Sequence, residues 1–156
     1  MASVKKFTEQ AVVNQLRHIE RTIANPQNND IMPDKQSLNY SLAPDRGISS
    51  YEYFKQRKSE LYCYNRNDVK VLVGWIVTAP KELSADQYKS FFENVHNFLS
   101  ARYGEKNCIQ SIVHNDESGQ PHLHFCFIPV VPDQKHGGEK ICANSVINRS
   151  ELRNFH

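Results

Sequence analysis

The stretch that decides the fold is "CIQSIVHNDESGQPHLHFCFIPVV", residues 108–131. Two runs rich in β-branched and aromatic residues flank "ESGQP", which has the composition of a hairpin loop, so the sequence predicts two antiparallel strands. Alternate side chains of a strand share one face, so His122 and His124 point one way while Leu123 and Phe125 point the other. The apolar pair is expected to pack against helices, and the two histidines to share the opposite face.

A third histidine joins this pair if the hairpin is symmetric about residue 118. His114 then lies directly opposite His122, with Cβ atoms roughly 5 Å apart. With His124, the three imidazoles would converge on one open point, and such an arrangement is typical of a divalent-metal site. Asp116 and Glu117, in the loop at the same end, can orient a ligand or handle protons. A lone histidine is more often a packed, hydrogen-bonded residue, but three on one face beside two acids favour a metal.

Outside the hairpin, hydrophobic periodicity and capping residues predict alternating helices and strands. A helix over residues 8–23 has Thr8 as N-cap, and the clearest helix begins with a capping box of Ser84 and Gln87 and ends at Gly104. The other predicted elements are a short strand at "VKKF", an irregular loop over residues 24–40, a short helix over 49–62, a buried strand at "VKVLVGWIVTAP", a short strand at "EKICA" and the first turns of a helix over 148–156.

These elements predict an α+β fold in which helices pack on a central antiparallel sheet. The strand that contains Trp75 is nearly all apolar, which suits burial on both faces, so we expect it at the centre of the sheet. A chain of 156 residues is expected to form one domain with a substantial core.

Composition excludes fibrous and membrane-spanning classes. The chain is 39% hydrophobic and 23% charged, as in an ordinary soluble globular protein. No apolar stretch approaches the roughly 20 residues needed to cross a bilayer, and "MASVKKFTEQ" lacks the apolar core of a signal peptide, so we expect a cytoplasmic protein. The four cysteines have no CxxC spacing and are expected to be reduced thiols. His96, His136 and His156 have no evident partner in the sequence and are expected at the surface.

Basic residues are concentrated in the first half of the chain. Residues 1–70 carry 11 basic and 8 acidic side chains, whereas residues 71–156 carry 8 and 9. A surface that binds a polyanion is therefore expected in the first half. Lys5, Lys6 and Arg17 are candidates for tracking a nucleic-acid backbone, and Tyr51 and Tyr53 can stack on unpaired bases. A basic, solvated helix face explains these residues equally well.

Three blocks of the sequence resemble one known family. "HNDESGQPHLHF" resembles the third motif of the MobV (Mob/Pre) plasmid mobilisation relaxases, and it contains the His-hydrophobe-His signature of the wider HUH endonucleases. "RHIERTIANPQNNDIMPDKQSLNY", residues 17–40, is similar to the family's opening block, and "NDVKVLVGWIVTAP" to its second. Residues in the matching places of the opening block are His18, Glu20, Arg21, Asn29, Asp30, Ile31, Asn39 and Tyr40. The chain departs from the family at "TEQAVVNQLR", where relatives have a Gly-rich approach to the first histidine.

The resemblance implies an HUH relaxase-like fold and a DNA-nicking activity. Relaxases of this family nick one strand at a transfer origin, stay attached to its 5′ phosphate and later rejoin the strand. The resemblance makes His18 the attacking nucleophile, and Glu117 or Glu20 could fix its tautomer. Arg21 lies three residues after His18, on the same face of the predicted helix, and is expected to hold the phosphate by a bidentate contact. Asp116, Asn39 and Tyr40 are then supporting residues.

The resemblance also implies a cofactor and partners. His114, His122 and His124 are expected to hold a divalent ion, most simply Mn²⁺ or Mg²⁺, which polarises the phosphate. The expected partner is single-stranded or hairpin DNA at a transfer origin. Residues 1–156 are expected to be the nicking domain at the N-terminus of a longer mobilisation protein, whose C-terminal regions can contact transfer or coupling proteins.

Alternatives remain open at this point. The same three histidines suit a metal-dependent hydrolase or oxygenase that acts on a small molecule, although the His18 block then has no role. A degenerate domain that binds DNA without cutting it is a third possibility. Many HUH enzymes use a tyrosine as nucleophile, for which Tyr40 and Tyr103 are the first candidates.

Overall fold

The fold, taken from a computed structural model, is described for residues 1–23 and 27–155. Part of the loop predicted over 24–40 and the predicted surface residue His156 lie outside the described residues. The strands are β1 (Ala2–Thr8), β2 (Tyr40–Ser41), β3 (Lys70–Thr78), β4 (Cys108–His114), β5 (His122–Phe127), β6 (Val130–Asp133) and β7 (Gly138–Ile141). The α-helices are α1 (Glu9–Glu20), α2 (Ser50–Ser59), α3 (Tyr88–Tyr103), α4 (Ala143–Val146) and α5 (Arg149–Asn154).

The main sheet has five antiparallel strands in the order β1-β3-β5-β4-β2, and β6 and β7 form a separate two-stranded sheet. The central strand is therefore β5, which carries His122 and His124, and the prediction that Trp75's strand is central is wrong. Strand β3 is not at the centre because β2 pairs with the outer edge of β4 and adds a fifth strand to the sheet. This strand is only two residues long. A strand that short leaves no alternating pattern in the sequence.

Helices cover both faces of this sheet, which confirms the predicted α+β architecture. On one face, Leu123, Phe125 and Phe127 pack with Trp75 and with Phe92 of α3. On the other face, α1 and α2 bury apolar residues against the sheet. Those residues are Val12, Leu16, Ile19 and Phe54. The histidines of β5 share this second face with Cys126, so the helix that carries the opening block packs directly over their strand.

Local signals set most helix ends. The predicted capping box of Ser84 and Gln87 is present, and Gly104 ends α3 with φ 94°, a conformation that favours glycine. Helix α1 begins after Thr8 as predicted, but the Thr8 side chain makes no capping hydrogen bond. The helix ends at Glu20, three residues early, because Arg21 adopts a left-handed conformation.

The loop between α1 and β2 is more regular than predicted. Residues Pro33–Leu38 form a 3-10 helix with Pro33 at its start, where the fixed φ of proline suits a helix. Ile31 forms an isolated β-bridge with Glu117, and the Met32 N–H donates to the Asp116 carbonyl at 2.6 Å. This loop is therefore tied to the hairpin that carries the histidines.

Two histidines expected to lack partners have them. His96 Nδ1 lies 2.7 Å from the Ser111 hydroxyl, and His136 Nδ1 lies 2.6 Å from Asp133 Oδ2 while its ring stacks on Tyr62. These partners belong to other elements or to a turn, so the hydrophobic periodicity of the sequence does not predict the contacts. All four cysteines are free thiols, and none of the described helices is long and apolar enough to cross a membrane.

Helix α5 forms where the sequence predicts it, with Asn148 as N-cap. It docks on the sheet through a chain of hydrogen bonds in which Trp75 Nε1 donates to the Tyr103 hydroxyl and that hydroxyl donates to Glu151. Arg102 binds the same carboxylate through two bonds of 2.6 Å. Phe155 stacks on Trp75 with ring centroids 4.2 Å apart, which completes the contact.

Candidate metal centre and nucleophile

Three histidines converge on one point, as the hairpin symmetry predicts. The register of β4 and β5 places His114 directly opposite His122, and His124 lies on the same face of β5. One ligand nitrogen from each ring lies within 4.8 Å of those of the other two, and ring centroids are 4.5 to 5.4 Å apart. Adjacent strands hold the backbones of all three residues, so the cluster depends on the sheet ladder and not on a loop.

The donor set of this cluster fits a divalent transition metal. Burial lowers the pKa of His122, and burial together with the two neighbouring imidazoles holds the pKa of His124 well below its usual value. Both rings are therefore neutral near neutral pH and keep a nitrogen lone pair. His114 donates from Nε2 to the Ile19 carbonyl at 2.8 Å, which leaves Nδ1 as its acceptor atom. Neutral imidazoles are common ligands for such ions.

An arginine and two carboxylates border the cluster. Asp116 is fully buried and receives hydrogen bonds from Arg21 Nε at 2.8 Å and Arg21 Nη2 at 2.9 Å. Nη2 also donates to Glu117 Oε1 at 2.6 Å and lies 3.1 Å from His114 Nδ1. Glu117 Oε2 lies 3.8 Å from His122 Nε2. Ionised acids next to the histidines add negative charge that attracts a cation to this point.

The pKa of Glu117 reflects this environment. Its interactions with His114 and with the Arg21 guanidinium outweigh burial and lower the pKa to about 2. The hydrogen bonds from Arg21 lower the pKa of Asp116 despite the burial that opposes them. Both side chains are thus carboxylates across the physiological range. They act as acceptors and fixed charges and not as proton donors.

The predicted placement of Arg21 on the helix face of His18 is wrong. Helix α1 ends before it, and the left-handed backbone at φ 59° turns the side chain toward Asp116 and Glu117. The guanidinium is 6% exposed and also donates from Nη1 to the His18 carbonyl at 3.2 Å. Its donors are engaged within the protein, so Arg21 holds the two acids in place and is not oriented as an open phosphate clamp.

His18 lies in the last turn of α1, half-buried, at the edge of a cleft of about 730 Å³. Burial is the main cause that lowers its pKa, followed by the positive charge of Arg21. Glu117 and His114 are close enough to act on the same pKa in opposite directions. The geometry therefore places a neutral imidazole beside the histidine cluster and open to an adjoining cleft.

The residues predicted to support His18 have structural partners. Glu20 accepts a hydrogen bond from the Ser50 hydroxyl of α2, so its carboxylate is directed away from the role of fixing the His18 tautomer. Asn39 Oδ1 accepts from the Asn115 N–H at 2.7 Å, and Tyr40 pairs with Val113 at the edge of the sheet. Asn39 and Tyr40 therefore fasten the opening-block loop to the strand that ends at the metal cluster.

Tyr103 is not well placed as a nucleophile, and the surroundings of Tyr40 do not activate its hydroxyl. Burial raises the pKa of Tyr40, and burial with the Glu151 hydrogen bond raises that of Tyr103 well above its usual value. Tyr103 stacks on Phe127, at the end of β5 away from His122. Both phenols stay protonated at neutral pH, and Tyr103 is remote from the cluster.

The predicted DNA-binding residues do not form one surface. Lys5 lies opposite Gly74, on the histidine face of the sheet, and Arg17 is exposed on α1. Lys6 points to the other face, because adjacent residues of a strand alternate, and it donates to Asn144 at 2.9 Å. Lys5 and Arg17 therefore remain candidates for backbone contacts, whereas Lys6 lies on the face opposite the histidines.

The two tyrosines of α2 are also placed differently from the prediction. The Tyr53 hydroxyl donates to the Lys106 carbonyl, before the start of β4 and thus at the far end from His114, and Arg46 covers the ring at 3.8 Å. Tyr51 packs beside buried Phe54. The Tyr53 ring is therefore not an open stacking platform near the histidines, whereas Tyr51 is partly exposed.

Sequence reasoning missed the amide side chains that line the cleft beside His18. They are Gln10, Asn14, Gln15, Gln27 and Asn28. The available signal was the i, i+4 spacing of residues 10, 14 and 18 along α1, which places them on one helix face. Because amides carry no charge, the distribution of basic residues does not reveal them.

A five-stranded antiparallel sheet with helices on both faces and a His-Leu-His central strand defines an α+β domain of the HUH relaxase type. The family described as plasmid recombination enzyme (Mob_Pre) matches residues 1–156. The chain belongs to this family, which confirms the resemblance of the three sequence blocks.

Curated relatives agree with the family assignment. A plasmid recombination enzyme of Streptococcus agalactiae is 30% identical over 163 residues, covering 99% of this chain and 32% of the relative. One of Bacillus thuringiensis is 30% identical over 154 residues, covering 96% of this chain and 33% of the relative. The chain thus spans about a third of the length of these relatives.

The fold also matches solved structures. One is the MobM relaxase domain (MOBV; Mob_Pre) bound to plasmid pMV158 oriT DNA, with Mn bound. The match has a TM-score of 0.82 at 29% identity and covers 99% of this chain and 80% of that domain. Another MobM relaxase domain structure, with a 26-nucleotide oriT DNA, matches with a TM-score of 0.70 at 25% identity.

Proposed function

We propose that residues 1–156 are the nicking domain of a plasmid mobilisation relaxase, which cuts and rejoins single-stranded or hairpin DNA at a transfer origin. The observation that carries the proposal is the position of a neutral His18 at an open cleft beside three convergent histidines. The similarity to MobM structures with bound oriT DNA supports the substrate class. A small-molecule hydrolase or oxygenase gives His18 and its cleft no role.

His114, His122 and His124 are the residues that would hold the metal ion. Nitrogen donors favour Mn²⁺ over Mg²⁺, because Mg²⁺ prefers oxygen ligands, and the similar MobM domains contain Mn. A bound divalent ion polarises a phosphate oxygen and stabilises the negative charge that develops there. His114 Nδ1 lies 3.1 Å from Arg21 Nη2, so this nitrogen would have to give up that hydrogen bond to act as a metal ligand.

In the reaction, the unprotonated nitrogen of His18 attacks the scissile phosphorus and the bond to the 3′ oxygen breaks. The products are a His18 phosphoramidate on the 5′ phosphate and a free 3′ hydroxyl. The proton for that hydroxyl comes from the other imidazole nitrogen, and reversal by the same hydroxyl rejoins the strand without another energy source. Burial keeps His18 neutral, and therefore nucleophilic, at neutral pH.

Replacing the nucleophile tests the proposal. The His18→Ala variant is expected to form no covalent DNA adduct in the presence of Mn²⁺, while Mn²⁺ binding measured by calorimetry is retained. His136→Ala, which removes a histidine that is paired to Asp133 in a separate turn, serves as the control and should form the adduct. An adduct that persists in His18→Ala and survives mild acid would replace the histidine mechanism with a tyrosine one, beginning with Tyr40.

Removing the metal tests the histidine cluster. A chelator, or the His122→Ala change, is expected to abolish both Mn²⁺ binding and adduct formation, because each removes part of the ligand set. Full adduct formation by His122→Ala without added metal would contradict the assignment.

The wider setting follows from the relatives. Since they are about three times as long as this chain, we propose that a full mobilisation protein contains further regions that contact transfer or coupling proteins. The cytoplasm, where plasmid DNA lies, is the proposed site of action, and the free thiols of all four cysteines are consistent with it.

A further inference from the structure

The cleft beside His18 has an unusual chemical lining. Besides His18, its polar side chains are five amides, three from α1 and two from the loop that follows it. They are Gln10, Asn14, Gln15, Gln27 and Asn28. Phe7 of β1 and Ile23 add apolar surface to the walls. Of the described residues that line it, none is a Lys, Arg, Asp or Glu, so the cleft offers hydrogen bonds and apolar contact but no formal charge.

These amides are available to a ligand. Gln10, Asn14 and Gln27 are exposed, and within residues 1–23 and 27–155 no hydrogen bond engages their side chains or that of Gln15. Asn28 accepts a hydrogen bond from the Asp30 N–H at 3.0 Å through Oδ1, which leaves its amino group as a donor. An amide carries both donors and acceptors, so it can pair with the polar edge of a base.

The apolar wall of the cleft can also contact a base. The Phe7 ring lies over Gly74 of β3, where an added Cβ would come within 3.2 Å of Phe7 Cε2. The glycine therefore lets the ring lie close against the sheet, with part of it facing the cleft. Aromatic and apolar surfaces of this kind suit the flat face of an unpaired base or a thymine methyl group.

The amides of α1 lie at increasing distances from His18 along the helix. Gln10, Asn14 and His18 follow one another at i, i+4 along one face of α1. Eight residues of helix span about 12 Å at 1.5 Å per residue. That length corresponds to roughly three stacked nucleotides at 3.4 Å per nucleotide. A strand whose scissile phosphate meets His18 can thus place its next bases along this face.

We infer that the amide face of α1, formed by Gln10 and Asn14 and continued by Gln15, reads the unpaired bases next to the scissile phosphate and sets the sequence preference of the nicking site. The inference rests on the proposed nicking function. Contacts to phosphates position a strand without distinguishing bases, whereas side-chain amides can pair with the edge of a particular base. Lys5 and Arg17 then supply backbone contacts, and the amide face supplies selectivity.

Selection from a random single-stranded DNA library tests the inference by binding alone. The wild-type chain is incubated with the library and Mn²⁺, and the enrichment of each base at each position is compared with that of Asn14→Ala and Gln10→Ala. Asn14→Ala should lower discrimination about 5- to 100-fold at one or two positions nearest the nick, as expected for loss of one base contact. Gln10→Ala should act about three nucleotides from it, following the 12 Å spacing.

Two controls separate base reading from other effects. Asn97→Ala changes an equally exposed amide of α3, on the opposite face of the sheet, and should leave the preference unchanged. Arg17→Ala should weaken binding to all sequences alike and reduce the salt dependence by about one phosphate contact. Alanine is a better helix former than asparagine, so misfolding does not explain an altered preference in Asn14→Ala.

The outcomes are distinguishable from those of the nicking proposal. If Asn14→Ala and Gln10→Ala keep the wild-type preference at every position, or if the wild-type chain selects no sequence, the base-reading inference is overturned. Adduct formation on the selected sequence is measured in parallel. A wild-type chain that selects a sequence, loses the preference in both variants and forms no adduct would uphold base reading and overturn nicking.

Discussion

Replacing Arg21 by alanine tests whether the cluster of Arg21, Asp116 and Glu117 stabilises the fold. Asp116 has 0% of its side chain exposed and receives two of the hydrogen bonds from the guanidinium, so the variant buries a carboxylate without its counter-charge. Removing one partner of such a pair costs about 3–5 kcal/mol of unfolding free energy. Arg17→Ala, one turn earlier and exposed, should change it by less than about 0.5 kcal/mol.

The left-handed backbone at Arg21 allows a second, independent comparison. Alanine keeps the Cβ that is unfavourable at φ 59°, whereas Arg21→Gly removes it. Removing this Cβ relieves about 1–2 kcal/mol of backbone strain, but glycine also gains entropy in the unfolded chain, which offsets part of that gain in stability. The glycine variant should therefore be more stable than the alanine variant by about 1 kcal/mol, although both lack the ion pairs.

Urea denaturation, followed by the fluorescence of the single tryptophan and by circular dichroism, measures these differences. The reasoning is refuted if Arg21→Ala unfolds within about 1 kcal/mol of the wild-type chain, because the cost of an uncompensated buried charge would then be absent. Equal stability of the alanine and glycine variants would refute the backbone argument alone.

Two further predictions concern the sheet. Because Arg102 holds the pKa of Glu151 below its usual value, the stability that this carboxylate contributes is present above its unfolded pKa of about 4.3 and lost as pH falls through the lower folded value. As pH falls, Trp75 fluorescence should therefore change when α5 detaches from the sheet in the wild-type chain, and this pH-dependent change should be absent in Glu151→Gln. Gly74→Ala should lower stability by about 1–3 kcal/mol in thermal unfolding because its Cβ displaces Phe7. An unchanged midpoint would show that the Phe7 ring yields freely.

The hairpin could be predicted because its information is local. A two-residue period fixes which side chains share a face, and the symmetric loop fixes the register, so His114 opposite His122 follows from sequence alone. The same reasoning failed for the strand order, since the two-residue β2 carries no period. Existence of the long elements was therefore predictable, but their arrangement was not.

The site was predictable in its residue types and less so in their contacts. Left-handed helix ends are usually marked by glycine, so nothing in the sequence indicated that Arg21 would end α1 and turn toward the acids. The amide cleft is lined by residues within 7–28, and the i, i+4 spacing of residues 10, 14 and 18 does indicate its helical part. The bond between Glu20 and Ser50, by contrast, links two different helices 30 residues apart. Such contacts depend on packing, which local patterns do not encode.

The central position of β5 has a consequence for local unfolding. Its backbone is paired on both sides, to β3 and to β4, so β5 leaves the sheet only when two ladders open together. The loop that carries Glu117 is held instead by a β-bridge to Ile31, by the bond from the Asn115 N–H to Asn39 and by the bonds from Arg21. Amide hydrogen exchange should accordingly be slowest at β5 and faster at Glu117. The histidines would then stay assembled through fluctuations that open the acidic loop, because two strand ladders hold the metal-binding half of the site and mainly side-chain bonds hold the acidic half.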